Sequence, residues 1–484
     1  VSEGARPAPL SPREASPAPA APRLARALSL RDLVLLNVVA VFTPSTIAQS
    51  LPLGWRGGAL WVVAGAVFLL PYGWAVAALS RRHPRQGGIY AWTRLAFGEA
   101  HGFVCGWCAW VNTFLYVPTL FLGVAAVLAL LGGERTAWLA TNAGAVTGIA
   151  LAGLWGATAL HIVGLGQGKW IQNAGAAGRL LIALGLLGAA GWTLAHPVAV
   201  PAAAADATAA PWPGVLAMLA LWPFILNALV GLELGAGMAE EAEAPAEDLP
   251  RALRLGGGLV MGAYLLAFAA ALVTGFSDGQ VITGHVQAIT GTVARAGAGP
   301  LLAALAAVFV LADVAGLLGT GAAWLAAPAR IPYAIGVDRR LPAAFARVHP
   351  RFGTPWVALL VQAGVASALL LLGQLGATLQ EAYLVLLGGS IVLVLVPYGY
   401  LLLAWRRLSA AEGGGRVPRR VAVVSGVGMA AVGVALAGCL VPPPAVDGGV
   451  LYVAKLLAAV AVLLGVGGWV WSRGTAEVLG GEFR

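Results

Sequence analysis

About twelve separate apolar runs, each roughly 18 residues or longer, recur along this chain, centred near Val39, Phe68, Tyr116, Gly148, Ala183, Leu226, Leu265, Asp313, Gln362, Val392, Gly428 and Val460. As a helix, a run of that length matches the hydrocarbon thickness of a bilayer. Hydrocarbon offers no partner to an open backbone N–H or C=O, so only helices or a closed barrel cross it. Barrel strands would appear as short alternating segments, and the runs here are continuous. The chain therefore reads as an all-α membrane protein with about twelve transmembrane helices. Composition agrees: of 484 residues, 60% are hydrophobic and only 10% charged, outside the range of soluble globular chains.

The net charge of +9 would suggest nucleic acid in a soluble protein, but here the placement of charge matters more than its sum. About 24 of the Lys and Arg residues fall on one side of the membrane and about three, Arg56, Arg135 and Arg295, on the other. The basic side includes Arg81, Arg82, Arg85, Arg339, Arg340, Arg406, Arg407, Arg419 and Arg420. By the positive-inside rule that side is cytoplasmic, and an even number of spans puts both termini there, in a cell (inner) membrane. No nucleic-acid partner is expected, and the lipid bilayer is the surrounding partner. Residues 1–27, Pro- and Ala-rich, read as a disordered cytoplasmic tail without a cleavable signal peptide. Further divisions are a ten-helix core over 28–405, a loop with spans eleven and twelve over 406–472, and a cytoplasmic C-terminal tail over 473–484. A linker at His196–Pro213 and a loop around Ser277–Gly299 face outward.

Motifs for chemistry are missing. Neither a GxxxxGK[ST] loop nor HExxH occurs, so ATP-driven and metalloprotease readings lose their support. The six histidines fall in or near loops without the i, i+4 spacing of a helical metal site, so no metal and no cofactor are expected. Cys105-Gly-Trp-Cys108 has the spacing of a redox dithiol, but no soluble βαβ pattern surrounds it, and packing is the plainer role.

Two spans carry helix breakers beside polar groups. Span one holds Thr43-Pro44-Ser45-Thr46; span six holds Pro223, Gly231 and Glu233. A break at mid-depth frees backbone groups, which persist where they line a cavity. The two spans lie five apart, and an odd offset turns the second copy upside down, giving inverted repeats over 28–196 and 212–405 with a substrate site at the two breaks. Proline kinks without function are the competing account. Candidate substrate-binding residues are Thr43, Pro44, Ser45 and Thr46 in span one, Asn112, Thr113 and Tyr116 in span three, and Asn227, Gly231 and Leu232 in span six. Asn112 also fits a purely structural role as hydrogen-bonding glue between helices.

Three ionisable residues inside spans are candidates for coupling, because charge at that depth is costly. A carboxylate taken out of water is easier to protonate, so Glu233 is either a proton acceptor or a fixed hydrogen-bond acceptor tying span six to span one. Asp313 lies halfway along span eight. Arg179, expected near the cytoplasmic end of span five, either occupies space that a coupling cation holds in sodium-driven transporters or snorkels to the interface.

Several segments resemble the amino acid–polyamine–organocation superfamily, in its branch of prokaryotic amino-acid permeases. The sixth span and following loop are similar to its G-x-E and E-E-x-x-x-P-x-x-x-x-P-R pattern through Gly231, Glu233, Glu240, Glu241, Pro245, Pro250 and Arg251. The loop after span two matches through Pro84, Gly87, Gly88, Tyr90, Gly98, Gly102, Phe103, Gly106 and Trp107. The loop after span eight matches through Arg330, Asp338, Leu341, Pro342, Phe345, Thr354 and Pro355. The resemblance covers nearly all of the chain after residue 28. It implies a leucine-transporter-type fold of five helices plus five inverted helices with two peripheral ones. It also implies alternating access for an amino acid or derived amine, driven by protons or by substrate/product exchange; a homodimer is compatible with it. Two departures stand out. The family's G-S-G or G-T-G break falls on Thr43-Pro44-Ser45, and Pro44 has no N–H to offer a carboxylate. Asn227 stands where many relatives carry an aromatic gate. The expected function is secondary transport rather than enzyme catalysis, with a channel or substrate-sensing protein on the same scaffold as the alternative.

Overall fold

A computed structural model describes residues 26–196, 214–274, 282–297, 299–373, 379–442 and 449–481. The expected tail, apart from its last two residues, and nearly all of the linker at His196–Pro213 lie outside the described residues, as does part of the loop around Ser277–Gly299. Among the described residues nine helices are long and apolar enough to cross a bilayer, and a bent pair makes a tenth span. Two shorter apolar helices accompany them.

In chain order the helices are α1 (Leu30–Val41), followed by a 3-10 helix (Pro44–Leu53), α2 (Trp55–Arg82), α3 (Ile89–Phe97), α4 (Glu99–Leu128), α5 (Ala143–Val163) and α6 (Leu165–Ala195). The second half holds α7 (Val215–Ala228), α8 (Leu234–Gly237), α9 (Pro245–Thr274), α10 (Gly284–Ala296), α11 (Pro300–Ala326), α12 (Arg330–Val337), α13 (Trp356–Gly373) and α14 (Leu379–Glu412). Outside these lie α15 (Arg419–Gly438) and α16 (Gly449–Gly481). The expected boundary after residue 405 falls inside α14, and α16 runs on through the expected C-terminal tail to Gly481. The loop expected around Ser277–Gly299 contains α10, too short to span but with Val286, Ile289 and Thr292 buried along one face.

Span one breaks where the sequence requires it. Proline drives the residue before it out of the helical region, and Thr43 is extended at φ −121°, ψ 95°. Pro44 cannot donate to Ala40, and the chain resumes as a 3-10 helix bent by 44° from α1. Three carbonyls freed at the end of α1 are then capped by side chains from other helices. Thr320 Oγ1 donates to Val39 O (2.7 Å), Trp324 Nε1 to Ala40 O (3.0 Å) and Tyr264 OH to Val41 O (2.7 Å). A helix end buried in an apolar bundle needs such partners.

Span six breaks later than Pro223 suggests. Pro223 sits inside an unbroken α7, and the helix ends at Ala228, before Gly231 at φ +121°. That backbone angle is one that glycine adopts readily. The carbonyl four residues before Pro223, Leu219 O, has lost its helical donor, and Gly438 of α15 packs so closely on it that any Cβ there would overlap it.

Close approach of α6 and α11 places the polar groups of the core. Gly175 and Gly319 face each other, and a Cβ built on either lies 2.7 Å from the other's Cα. Gly178 meets the Ala312 carbonyl in the same way, and Gly316 seats the Arg179 guanidinium. Small residues on facing helix surfaces, here at i, i+3, let membrane helices meet backbone to backbone.

Candidate functional site

The two breaks lie within reach of one side chain. The Tyr264 hydroxyl of α9 accepts from Thr43 N–H (2.9 Å) and has Val41 O and Ala228 O at 2.7 and 3.0 Å, so it joins span one to span six. Its ring stacks on Trp61 and meets Phe42 edge-on. Two further tyrosines secure the second break. Tyr398 OH accepts from Gly231 N–H (3.1 Å), while Tyr72 OH donates to Leu229 O (2.6 Å) and accepts from Leu232 N–H (3.4 Å). The N–H groups of Thr43, Gly231 and Leu232 at the two breaks are thus held by tyrosine hydroxyls.

A cavity of about 20 Å³ lies between the breaks, its polar lining made of Thr43, Ser45, Thr46, Tyr116, Thr119 and Asn227. Ala40, Val41, Leu120, Ile282, Leu317 and Leu387 supply apolar walls. The lining contains no ionisable carboxylate or cation among the described residues. Thr43 Oγ1 is buried without a hydrogen-bond partner of standard geometry among them, while Thr46 Oγ1 donates back to Thr43 O (2.7 Å). A space of this size holds about one water.

Nearer the end of the bundle rich in arginine lies a second cavity of about 30 Å³, lined by Asn112, Glu233, Gly237, Trp324 and Tyr398 among others. Tyr116 and Trp324, one from each cavity, meet edge-to-face between them. The expected trio of span three is therefore divided. Tyr116 faces the first cavity and Asn112 the second, with its amide donating to Ala109 O (2.5 Å), whereas Thr113 lines neither and donates to Trp110 O. Gly231 and Leu232 form the backbone of the break without lining the first cavity, and Pro44 ends α1 without appearing in its wall. Glu233 folds back so that its carboxylate accepts from Gly231 N–H (3.2 Å) and contacts Tyr398.

The remaining ionisable candidates meet. Arg179 lies near the middle of α6 rather than near its end, and it is fully buried, which excludes snorkelling. Its Nη1 donates to Asp313 Oδ1 (2.8 Å) and its Nη2 to Thr320 Oγ1 (3.3 Å), the hydroxyl that caps Val39. His285, expected in a loop, is 1% exposed with Nε2 at 3.1 Å from the same Asp313 oxygen. At the basic end, Glu241 and Arg330 form a second buried ion pair (2.8 Å), with Gln86 bridging to the Glu240 backbone. Cys105 and Cys108 are buried and free, with Thr93 donating to Cys105.

Sequence reasoning missed Tyr72, Tyr264, Tyr398, His285, Thr320 and Trp324. One signal was available for the tyrosines: they lie deep in apolar runs, whereas a membrane tyrosine belongs by default to the interfacial belt.

Comparison with known proteins places this geometry. The chain is similar to an uncharacterized transporter of Legionella pneumophila, 29% identical over 77% of this chain and 79% of that one. It is similar to a probable agmatine/putrescine antiporter of Lactococcus lactis, 24% identical over 72% of each chain. A serine/threonine exchanger of Bacillus subtilis is 26% identical over 64% of this chain and 67% of its own length. Among solved structures, MhsT in complex with L-phenylalanine superposes with a TM-score of 0.59, at 13% identity over 92% of this chain and 99% of that one. A manganese transporter of Eremococcus coleocola gives 0.53, also at 13% identity, over 92% and 94%. These likenesses establish the leucine-transporter-type, all-helical fold. Residues 34–467 match the family model described as amino acid permease, so this multi-pass membrane protein is a transporter and not an enzyme: it belongs to the amino acid permease family.

Proposed function

We propose that this permease carries a small, neutral, polar amino acid across the cytoplasmic membrane by alternating access, with its basic end inside. The observation behind the substrate class is the lining of the central cavity: hydroxyls and one amide, with no charged group among the described residues. A diamine would leave two ammonium groups without a counter-charge in a desolvated site, at high cost. A zwitterion brings its own compensating charge. The hydroxyls of Thr43, Ser45 and Thr46 suit its carboxylate, in place of the backbone donors that Pro44 and the tyrosines withhold, and Asn227 and Tyr116 suit its polar side chain.

Binding requires the cavity to widen well beyond its about 20 Å³, as expected of a site that opens alternately to either side. The driving force in this reading is a proton gradient or counter-substrate, not sodium. Arg179 holds a fixed positive charge beside Thr320 and the capped Val39 carbonyl, where a mobile cation would otherwise complete the break in span one. Glu233, set against the second break, is the proton-accepting candidate, and Asp313 anchors Arg179.

Uptake into sodium-free liposomes tests this reading. Radiolabelled serine, threonine, putrescine and agmatine are compared with and without an inward proton gradient and with internal unlabelled amino acid. Serine-class uptake that rises under one of these driving forces is expected. Preferential diamine uptake would overturn the substrate class, and no transport of any amino acid or amine would overturn the function.

A further inference from the structure

Helix α10 follows directly on a wall residue of the central cavity. Ile282, just before it, lines that cavity and sits near Gly123 of α4, where an added Cβ would lie 3.6 Å from Ile282 Cγ2. Passage through that wall therefore has to displace Ile282, and α10 with it. The helix is held by apolar packing of Val286 and Ile289, and His285 adds a buried polar contact on Asp313. That contact is not isolated. The Asp313 oxygen facing His285 also takes Arg179, which reaches Thr320, which caps Val39 at the end of α1. A continuous polar chain thus runs from α10 to the broken helix through four buried side chains. Nothing in the substrate site accounts for it, since none of the four lines the cavity.

We propose that His285 is a positioning residue, a latch through which α10, as a roof, holds the cavity shut on the outer side. Its Nε2 sits 3.1 Å from Asp313 Oδ1, and the roof swings only when that polar contact breaks. Because the contact ends on the carboxylate that orients Arg179, opening the roof slackens the cap on Val39, and movement at the break loosens the roof. The proposal rests on the transport reading for its purpose, but its geometry is testable without transport.

The test uses the full chain in liposomes, with Cys105, Cys108 and Cys439 changed to Ser and an Ile282→Cys probe. The rate of labelling by a membrane-impermeant maleimide from outside reads roof opening. In His285→Leu, which has no polar group to meet Asp313, labelling is expected to rise about ten- to a hundredfold, the size expected for loss of a buried polar contact to a carboxylate. His285→Gln, whose amide reaches as far as Nε2, should stay near the parent rate. His285→Asn, the same amide on a shorter arm, should behave like Leu and serves if the Leu variant does not fold. Val286→Ala trims the packing of the same helix and should change the rate less than threefold. Equal rates in the Gln and Asn variants, an unchanged rate in Leu, or an equal rise in Val286→Ala would each overturn the latch. Absence of uptake by the parent protein would overturn the transport reading and leave the labelling result standing.

Discussion

Tyr264→Phe removes one oxygen atom from the junction of the two broken helices and leaves the ring contacts with Trp61 and Phe42 in place. A hydroxyl has one proton to give, so at any moment Tyr264 accepts from Thr43 N–H and donates to either Val41 O or Ala228 O. Two net hydrogen bonds are lost, worth about 1 kcal/mol each, and the stranded Thr43 N–H raises the cost to about 2–3 kcal/mol. The carbonyls suffer less, because an under-satisfied oxygen is better tolerated than an orphaned donor. If opening of the breaks is governed by this junction, its equilibrium shifts by about 30- to 150-fold. Hydrogen exchange by mass spectrometry in nanodiscs reads it directly. Amides at 42–47 and at 228–232 should both exchange faster by that factor, while the middle of α4 stays unchanged. Faster exchange at one break alone would refute the claim that the hydroxyl ties them together; no change at either would refute the energetics.

Arg330→Ala strands the buried Glu241 carboxylate and should destabilise the folded protein by about 3–5 kcal/mol, read by denaturant unfolding in detergent, with the double change Arg330→Met and Glu241→Leu recovering most of it. Gly178→Ala drives a methyl into the Ala312 carbonyl and should cost about 1–3 kcal/mol, whereas Gly188→Ala, on the same helix but facing open space, should be neutral or slightly stabilising in the same denaturant unfolding. Asn227→Leu should weaken substrate binding about ten- to a hundredfold in competition uptake, with the ligand-free melting temperature little changed.

Much of the architecture was legible in the chain because the bilayer enforces it: apolar length gives the helices, and Pro44 and Gly231 give the breaks. What pairs across the bundle was not legible, since nothing local specifies it. His285 looked like a loop residue because α10 is too short and too polar to register as a span, and its partner lies 28 residues further on. Arg179 seemed to belong near a helix end because the apolar run around it is ragged; its burial depends on Gly175, Gly178, Gly316 and Gly319 closing α6 onto α11. Pro223 was a reasonable breaker by residue type, but tertiary packing accommodated it, and the break fell at Gly231 instead. Thr113 shared a helical face with Tyr116 only approximately, and the difference was enough to turn it away from the cavity.

The seat of Gly438 over the Leu219 carbonyl makes α15 something other than a passenger. By chain order it lies outside the ten-helix core, and a designer shortening the protein would remove it first. Yet it fills the notch that Pro223 leaves in the helix bearing Asn227, and Trp222 beside that notch donates to Ala431 of the same α15 (3.1 Å). The helix carrying the second break is therefore braced from outside, by backbone packing at the notch and by an indole hydrogen bond beside it. Trimming the chain after α14 would uncover the Leu219 carbonyl and take away the acceptor of the Trp222 indole.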